Sequence, residues 1–279
     1  MHRLTPVALL VLAACGTAPH AAPSDPPEGE RLYEATAVVL ESKQHDPMLC
    51  LGFIAESLPP QCGDVAVANW DWGAVEGEER LSGTTWGEYH VVGSYDGEAF
   101  SVSDVGPPRQ GQEPFDDDPI EAPCPDPEGG WPWPDPARSS EEDLVAAQRA
   151  AQREPDFAGV WIDYLAEPNP DAPPDALQVI LTAAFTGDLE RHEAELRELW
   201  GGPLCIALHE RTYRELRAIQ NGLAAEEIGL QLLTSGVDVV DNVVEIHVVT
   251  LDEDDRRALD ERYGEGTVRA TAALDPVKP

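Results

Sequence analysis

Positive charge is scarce in this chain. Lys and Arg number 18 against 53 Asp and Glu, a net charge of -35. A surface of that sign repels nucleic acid and anionic lipid headgroups, so neither is expected as a partner. Cysteine is also sparing: five residues, with no C-x-x-C and no cysteine–histidine cluster at zinc spacing. That argues against a structural metal site. No apolar run is long enough to cross a bilayer as a helix. The common catalytic signatures are missing too: there is no G-x-S-x-G, H-E-x-x-H, P-loop or G-x-G-x-x-G.

What is present begins at the N-terminus. A basic start at His2-Arg3 leads into Leu9-Leu10-Val11-Leu12-Ala13-Ala14-Cys15. A positive start, a short apolar stretch and small residues before a cleavage point make a secretory signal. The ending Leu12-Ala13-Ala14-Cys15, followed by Gly16-Thr17, resembles the lipobox of bacterial lipoproteins. The resemblance implies cleavage before Cys15, a diacylglycerol thioether on its sulfur, and anchorage in the cell envelope outside the cytoplasm. Residues 1–14 are then the signal peptide. Residues 15–30, rich in Pro, Ala, Ser and acids, form a lipidated disordered tether. On so acidic a chain, membrane contact comes from the lipid and not from a basic patch.

The other four cysteines are Cys50, Cys62, Cys124 and Cys205. An even number in an exported chain favours disulfides. Three connectivities exist. Cys50–Cys62 with Cys124–Cys205 is preferred, because the first two share one short segment and the second bond ties a linker to the C-terminal region.

The fold class expected is α+β. Residues 31–106 read as a small all-β barrel or sandwich. Phe100 and Val102 alternate with Ser101 and Ser103, and Asp96-Gly97 marks a hairpin turn. Residues 107–156 read as a Pro-rich linker plus a short helix near 140–152, with Trp131-Pro132-Trp133-Pro134 packing the linker onto a domain. Residues 157–279 read as an α+β domain of two β-β-α-β lobes joined by a helix over 212–228. Thr212-x-x-Glu215 caps that helix, and Leu216, Ile219 and Leu223 line one side of it. The first copy runs from Leu177 through a helix ending Leu199-Trp200-Gly201 to the strand at Leu204. The second runs from Val243 through a helix ending Arg262-Tyr263-Gly264 to the strand at Thr267. The two read as an internal repeat.

Three segments of this region carry a family resemblance: Phe157-x-Gly159-x-Trp161-Ile162-Asp163, Arg211-x-x-x-x-Leu216-x-x-Ile219, and Val237-Asp238-x-x-x-Asn242-Val243-Val244. Their order resembles the prodomains of streptogrisin- and alpha-lytic-type secreted serine proteases. Such prodomains are β-β-α-β lobes that assist folding of a protease and inhibit it. The match covers 157–275, and no protease domain follows within the 279 residues. What it implies is a fold and a protein-binding surface, with no catalytic residue carried over.

Candidate chemistry is thin. Trp70, Trp72, Trp86 and Tyr89, with Asp71 and Glu88 nearby, are candidate ligand-binding aromatics for a carbohydrate or cell-wall ligand. The competing explanation is barrel core plus a Trp cap over the disulfide loop. His192 and His209 read as surface residues, and His247 as a packing or face histidine. Asp116-Asp117-Asp118 lacks the spacing of a Ca²⁺ loop and reads as a solvated turn, and Asp252–Asp255 reads as acidity at a helix N-terminus. No catalytic residue, cofactor or metal is expected. The expectation is a non-catalytic, membrane-anchored lipoprotein that binds an envelope protein through a protein-interaction module. Carbohydrate or cell-wall binding by the β domain is the alternative.

Overall fold

The computed structural model describes residues 31–109, 123–165, 176–225 and 229–278. Cys15 and its signal, the tether, and Asp116-Asp117-Asp118 lie outside the described residues. The fold is mixed α/β, with a closed five-stranded barrel and four α-helices among the described residues.

β4 (Glu79–Leu81) stands outside the barrel, whose five strands are β1 (Leu32–Glu41), β2 (Met48–Cys50), β3 (Val65–Val67), β5 (Thr84–Tyr95) and β6 (Ala99–Gly106). They follow the order β1-β2-β3-β6-β5, and β5 pairs back onto β1 from Leu32↔Ser94 to Glu41↔Thr85. β3 and β6 run parallel, and the other pairs are antiparallel. This order, with its single parallel pair, is that of an OB-fold barrel. β4 adds a small hairpin on β5, turned by Ser82 and Gly83 at φ 55° and 87°. Positive φ at both positions suits the right-handed strand twist.

Alternation builds the barrel core. Ala35, Ala37 and Val39 of β1 point inward with Tyr89 and Val91 of β5 and with Phe100 and Val102 of β6. Gly93 is required here, since a Cβ would lie 2.1 Å from the Ser101 carbonyl and 2.8 Å from the Phe100 ring.

The C-terminal region holds α1 (Glu141–Ala151), β7 (Phe157–Tyr164), β8 (Val179–Phe185), α2 (Leu189–Arg197), β9 (Leu204–Leu208), α3 (Tyr213–Ala225), β10 (Leu232–Asp238), β11 (Val243–Val248), α4 (Glu253–Tyr263), β12 (Val268–Ala272) and β13 (Asp275–Pro276). Two three-stranded sheets result, β7-β8-β9 and β10-β11-β12. In each, the first pair is antiparallel and the second parallel. Leu144 and Ala147 of α1, with Leu196 of α2, bury one face of the first sheet around Leu181 and Phe185. Leu216 and Leu223 of α3, with Leu259 of α4, do the same for Val244, Ile246 and Val248. Capping boxes start α1 at Ser140 and α4 at Asp252, and Thr212 and Glu215 exchange reciprocal bonds ahead of α3. These satisfy amides that a helix start leaves open. Asp252–Asp255 is thus a cap.

Two features add to the reading of the domains. Within 123–156, α1 contributes Leu144, Ala147 and Ala151 to the core of the first sheet. Its preceding segment is also stitched down: Asp135 donates to Gly201 O, and Gly201 donates back to Arg138 O. A Cβ on Gly201 would meet the Asp135 carbonyl at 1.9 Å. Only glycine allows that approach.

The barrel, in turn, takes more than residues 31–106. β13 pairs with β1 through Tyr33↔Pro276 and Glu34↔Asp275. Val249 and Leu274 are fully buried in the barrel core, with Leu233 packed beside them. Gln231 Nε2 donates to Asp64 O at 3.2 Å. The α+β region therefore seals the barrel and shares its hydrophobic core.

Candidate functional site

The barrel gathers three of the four candidate aromatics. Trp70 lies 5.1 Å from Tyr89 and 5.4 Å from Trp72, centroid to centroid, and Trp72 lies 6.4 Å from Tyr89. Trp72 Nε1 donates to the Glu41 carboxylate. Trp70 Nε1 and the Tyr89 hydroxyl are buried without a hydrogen-bond partner among the described residues. Burial raises the Tyr89 phenol pKa, and the Glu78 carboxylate adds to the rise. Trp86 stands apart on the outer wall, packed with Leu40, Cys50, Ile54 and Cys62. A half-open groove of about 820 Å³ is lined by Val75, Glu76, Glu79, Trp86, Glu88 and Tyr89, and not by Trp70 or Trp72. Asp71 serves its own turn, accepting from the Gly73 amide at 2.8 Å.

One histidine is set differently from the reading of the sequence. His192, expected at the surface, is 1 % exposed. It stands four residues before Leu196, so both share the inner stripe of α2. Its ring stacks on Phe185 at 3.6 Å and 5°. Its Nε2 lies 2.9 Å from Asp156 Oδ2 and 3.0 Å from Arg191 Nη2. Arg191 Nη1 donates to Glu154 at 3.0 Å and Glu195 at 2.9 Å. Donor atoms of Glu154, His192 and Glu195 lie within 4.8 Å of one another, close enough to hold a metal ion. The Arg191 guanidinium already satisfies both carboxylates, and its charge opposes a cation there. Those two bonds are also the main reason its pKa is raised. The group works as an ionic staple between α2 and the segment after α1.

His209 and His247 are half-buried. Burial lowers both pKa values. For His209 the Asn242 side chain and the carboxylates of Asp238 and Asp241 oppose the shift. For His247 the Leu51 backbone, Asp275 and Asp64 oppose it. His247 Nδ1 also lies 3.0 Å from the Thr271 hydroxyl. His209 sits edge-on to Trp161 at 6.1 Å. Two buried polar groups had no signal in the sequence. His90 places Nε2 3.3 Å from Glu34. Asp163 takes a 3.3 Å bond from Thr182, while burial raises its carboxyl pKa.

The most exposed large apolar groups of the barrel lie elsewhere, in the β2–β3 connection. Cys50 and Cys62 are disulfide-bonded there, with Cα atoms 5.4 Å apart, and Cys124 is bonded to Cys205 at 5.8 Å. At the foot of this loop, the Leu51 and Gly52 amides donate to Asp64 Oδ2 at 2.7 and 2.8 Å. Ile54 packs on the Trp86 cluster. Further out, Ala55 N donates to Gln61 O at 3.0 Å in a short bridge. Beyond the bridge Glu56, Ser57 and Leu58 are exposed. Phe53 is 76 % exposed and Leu58 73 %. The cysteine spacing and Pro59-Pro60 announce a rigid loop, but nothing in the sequence told which side chains it turns outward.

No family model matches the chain, and no curated protein matches it.

Proposed function

We propose that this chain is a lipid-anchored extracytoplasmic protein that binds a protein partner through the disulfide-closed loop of its barrel, with no catalysis of its own. The observation that carries this reading is the pair Phe53 and Leu58. At 76 % and 73 % exposure they are the most exposed large apolar side chains of the barrel. Here the loop is fixed by a disulfide, a backbone bridge and Asp64, so they are held out in water. A stiff loop binds without a large ordering cost, and apolar anchors at its tip supply the contact.

The tandem reading of the C-terminal region supports a binding role. The two sheets share strand order and sense, and α3 stands between them in the chain. Two β-β-α-β lobes joined by a helix agree with the resemblance to protease prodomains, which bind a protein. Lipidation at Cys15 would hold the module at the envelope membrane. The deciding experiment is capture from envelope extract with the protein and with a Phe53→Ser/Leu58→Ser variant. The same proteins captured by both would end this reading. A second reading, a sugar or cell-wall ligand in the groove lined by Trp86, Glu88 and Tyr89, draws on the Tyr89 hydroxyl, which has no partner among the described residues.

A further inference from the structure

We infer that the groove beside Trp86 and Tyr89 binds an aliphatic polyamine, a chain of methylene groups carrying two or more ammonium charges. The site is separate from the disulfide-closed loop and does not depend on the protein that the loop binds.

The groove opens where the barrel wall has a gap. On its side away from β1, β5 pairs with β4 through Thr84, Thr85 and Trp86, and with β6 from His90 onward. Gly87, Glu88 and Tyr89 lie between, and no strand among the described residues pairs with them on that side. All three line the groove, with Glu79 of β4 at one end of the gap and Gly106 of β6 at the other. Because β4 and β6 close both ends, a slender molecule fits where a through-running peptide strand does not. The volume of about 820 Å³ is that of a small-ligand site.

The lining selects a cation. Glu76, Glu79 and Glu88 are exposed there and have no ion pair among the described residues. No Lys or Arg lines the groove. Arg80 lies 3.2 Å from Glu78, and Arg109, just past Pro108, lies 2.7 Å from Glu34. Tyr89 is an independent sign of a ligand. It is 4 % exposed, and its hydroxyl has no hydrogen-bond partner among the described residues. The phenol oxygen ends at the groove wall against Gly87, where a Cβ would lie 2.6 Å from it. Trp70 and Trp72 pack on its ring. An ammonium group donating to that oxygen would satisfy it. A metal ion needs its oxygens in one shell. The groove carboxylates do not gather within 4.8 Å of one another, as the donor atoms of Glu154, His192 and Glu195 do. Spread carboxylates on a wall shared with Val38, Val75 and Val105 match a cation whose charges are spaced by methylene groups. A neutral sugar would leave those carboxylates without a counter-charge.

The test is calorimetric titration of the full-length protein, purified from membranes in detergent with disulfides intact, at low salt. The probes are spermidine, n-butylamine, calcium chloride, the neutral sugar chitotriose and a trilysine peptide. The expected result is one spermidine per chain, bound at least about 10-fold tighter than any other probe and weakened by added salt. Glu76→Gln/Glu88→Gln should weaken spermidine at least about 10-fold. Glu141→Gln/Glu142→Gln, an equal change of charge at the exposed start of α1, should leave its affinity alone. Tyr89→Phe should weaken it about 3–10-fold. That variant should keep the denaturant midpoint, because the hydroxyl has no protein partner among the described residues to lose. The site is overturned if spermidine does not bind, or if Tyr89→Phe binds it like the wild type. It is overturned equally if both glutamate pairs weaken binding alike, which is general attraction to an acidic surface. Any other probe binding as tightly as spermidine also overturns it, and assigns the groove to a simple amine, a metal, a sugar or a basic peptide. None of these results bears on capture through Phe53 and Leu58.

Discussion

Leu274 belongs by sequence to the last strand of the C-terminal region, yet its side chain is fully buried in the barrel core. Leu274→Ala should therefore destabilise the barrel as if a barrel strand had been cut. The removed methyl groups leave a cavity among rigid strands that cannot close over it. Large-to-small changes at such sites cost about 2–5 kcal/mol, and a fully enclosed leucine argues for about 3. For a chain of this size that is a fall in Tm of about 6–12 °C. Guanidinium unfolding followed by tryptophan fluorescence reads the effect, because Trp70, Trp72 and Trp86 report the barrel while Trp161 and Trp200 report the first C-terminal sheet and its helices. Amide exchange along β1 gives a second measurement, since Leu274 is followed directly by the β13 pairing with Tyr33 and Glu34. A loss below about 1 kcal/mol, or faster exchange confined to the C-terminal sheets, would refute a shared core.

Other outcomes follow from the same geometry. Cys50→Ser/Cys62→Ser should lower unfolding stability by about 3 kcal/mol from loop closure, read as a fall in the denaturant midpoint. Stability should decline as pH drops below the ordinary histidine value of 6.5, since burial lowers the folded-state pKa of His209 and His247. The unfolded chain takes up those protons first, so the contribution is present above 6.5 and lost as pH falls toward the lower folded values. His209→Gln/His247→Gln should flatten that part of a stability–pH curve measured by chemical denaturation, and an unchanged slope would show that other groups control it. Cys15→Ser should leave the exported protein unlipidated, either unprocessed or released. Radiolabelled acyl chains still entering the variant would contradict the anchor.

Local pattern made much of this fold legible. Alternation in Phe100-Ser101-Val102-Ser103 gave β6, the Asp96-Gly97 turn gave its hairpin, and Thr212 with Glu215 gave the start of α3. What escaped depends on partners distant in sequence. Leu274 looks like any strand residue until the barrel encloses it, and β13 exists only because β1 has an edge free at Tyr33. His192, with acidic neighbours on its helix, reads as a surface residue, although its spacing from Leu196 puts it on the inner stripe of α2. Phe185, at the end of the preceding strand, and Asp156, 36 residues earlier, make its burial tolerable. At the loop, spacing and proline content disclosed stiffness. The outward direction of Glu56, Leu58 and Phe53 depends on how the foot sits against Trp86 and Asp64.

The closing of the barrel also has a mechanical side. A chain held by its N-terminus feeds any pull into β1 at Leu32. β1 is bound to β5 over ten consecutive residue pairs, from Leu32↔Ser94 to Glu41↔Thr85. A load along that strand bears on the whole ladder at once, in shear, and does not peel bonds away singly. β13 grips the same first residues of β1 from the other edge. The first strand of the barrel is thus clamped on both sides, and β13 serves as part of the clamp.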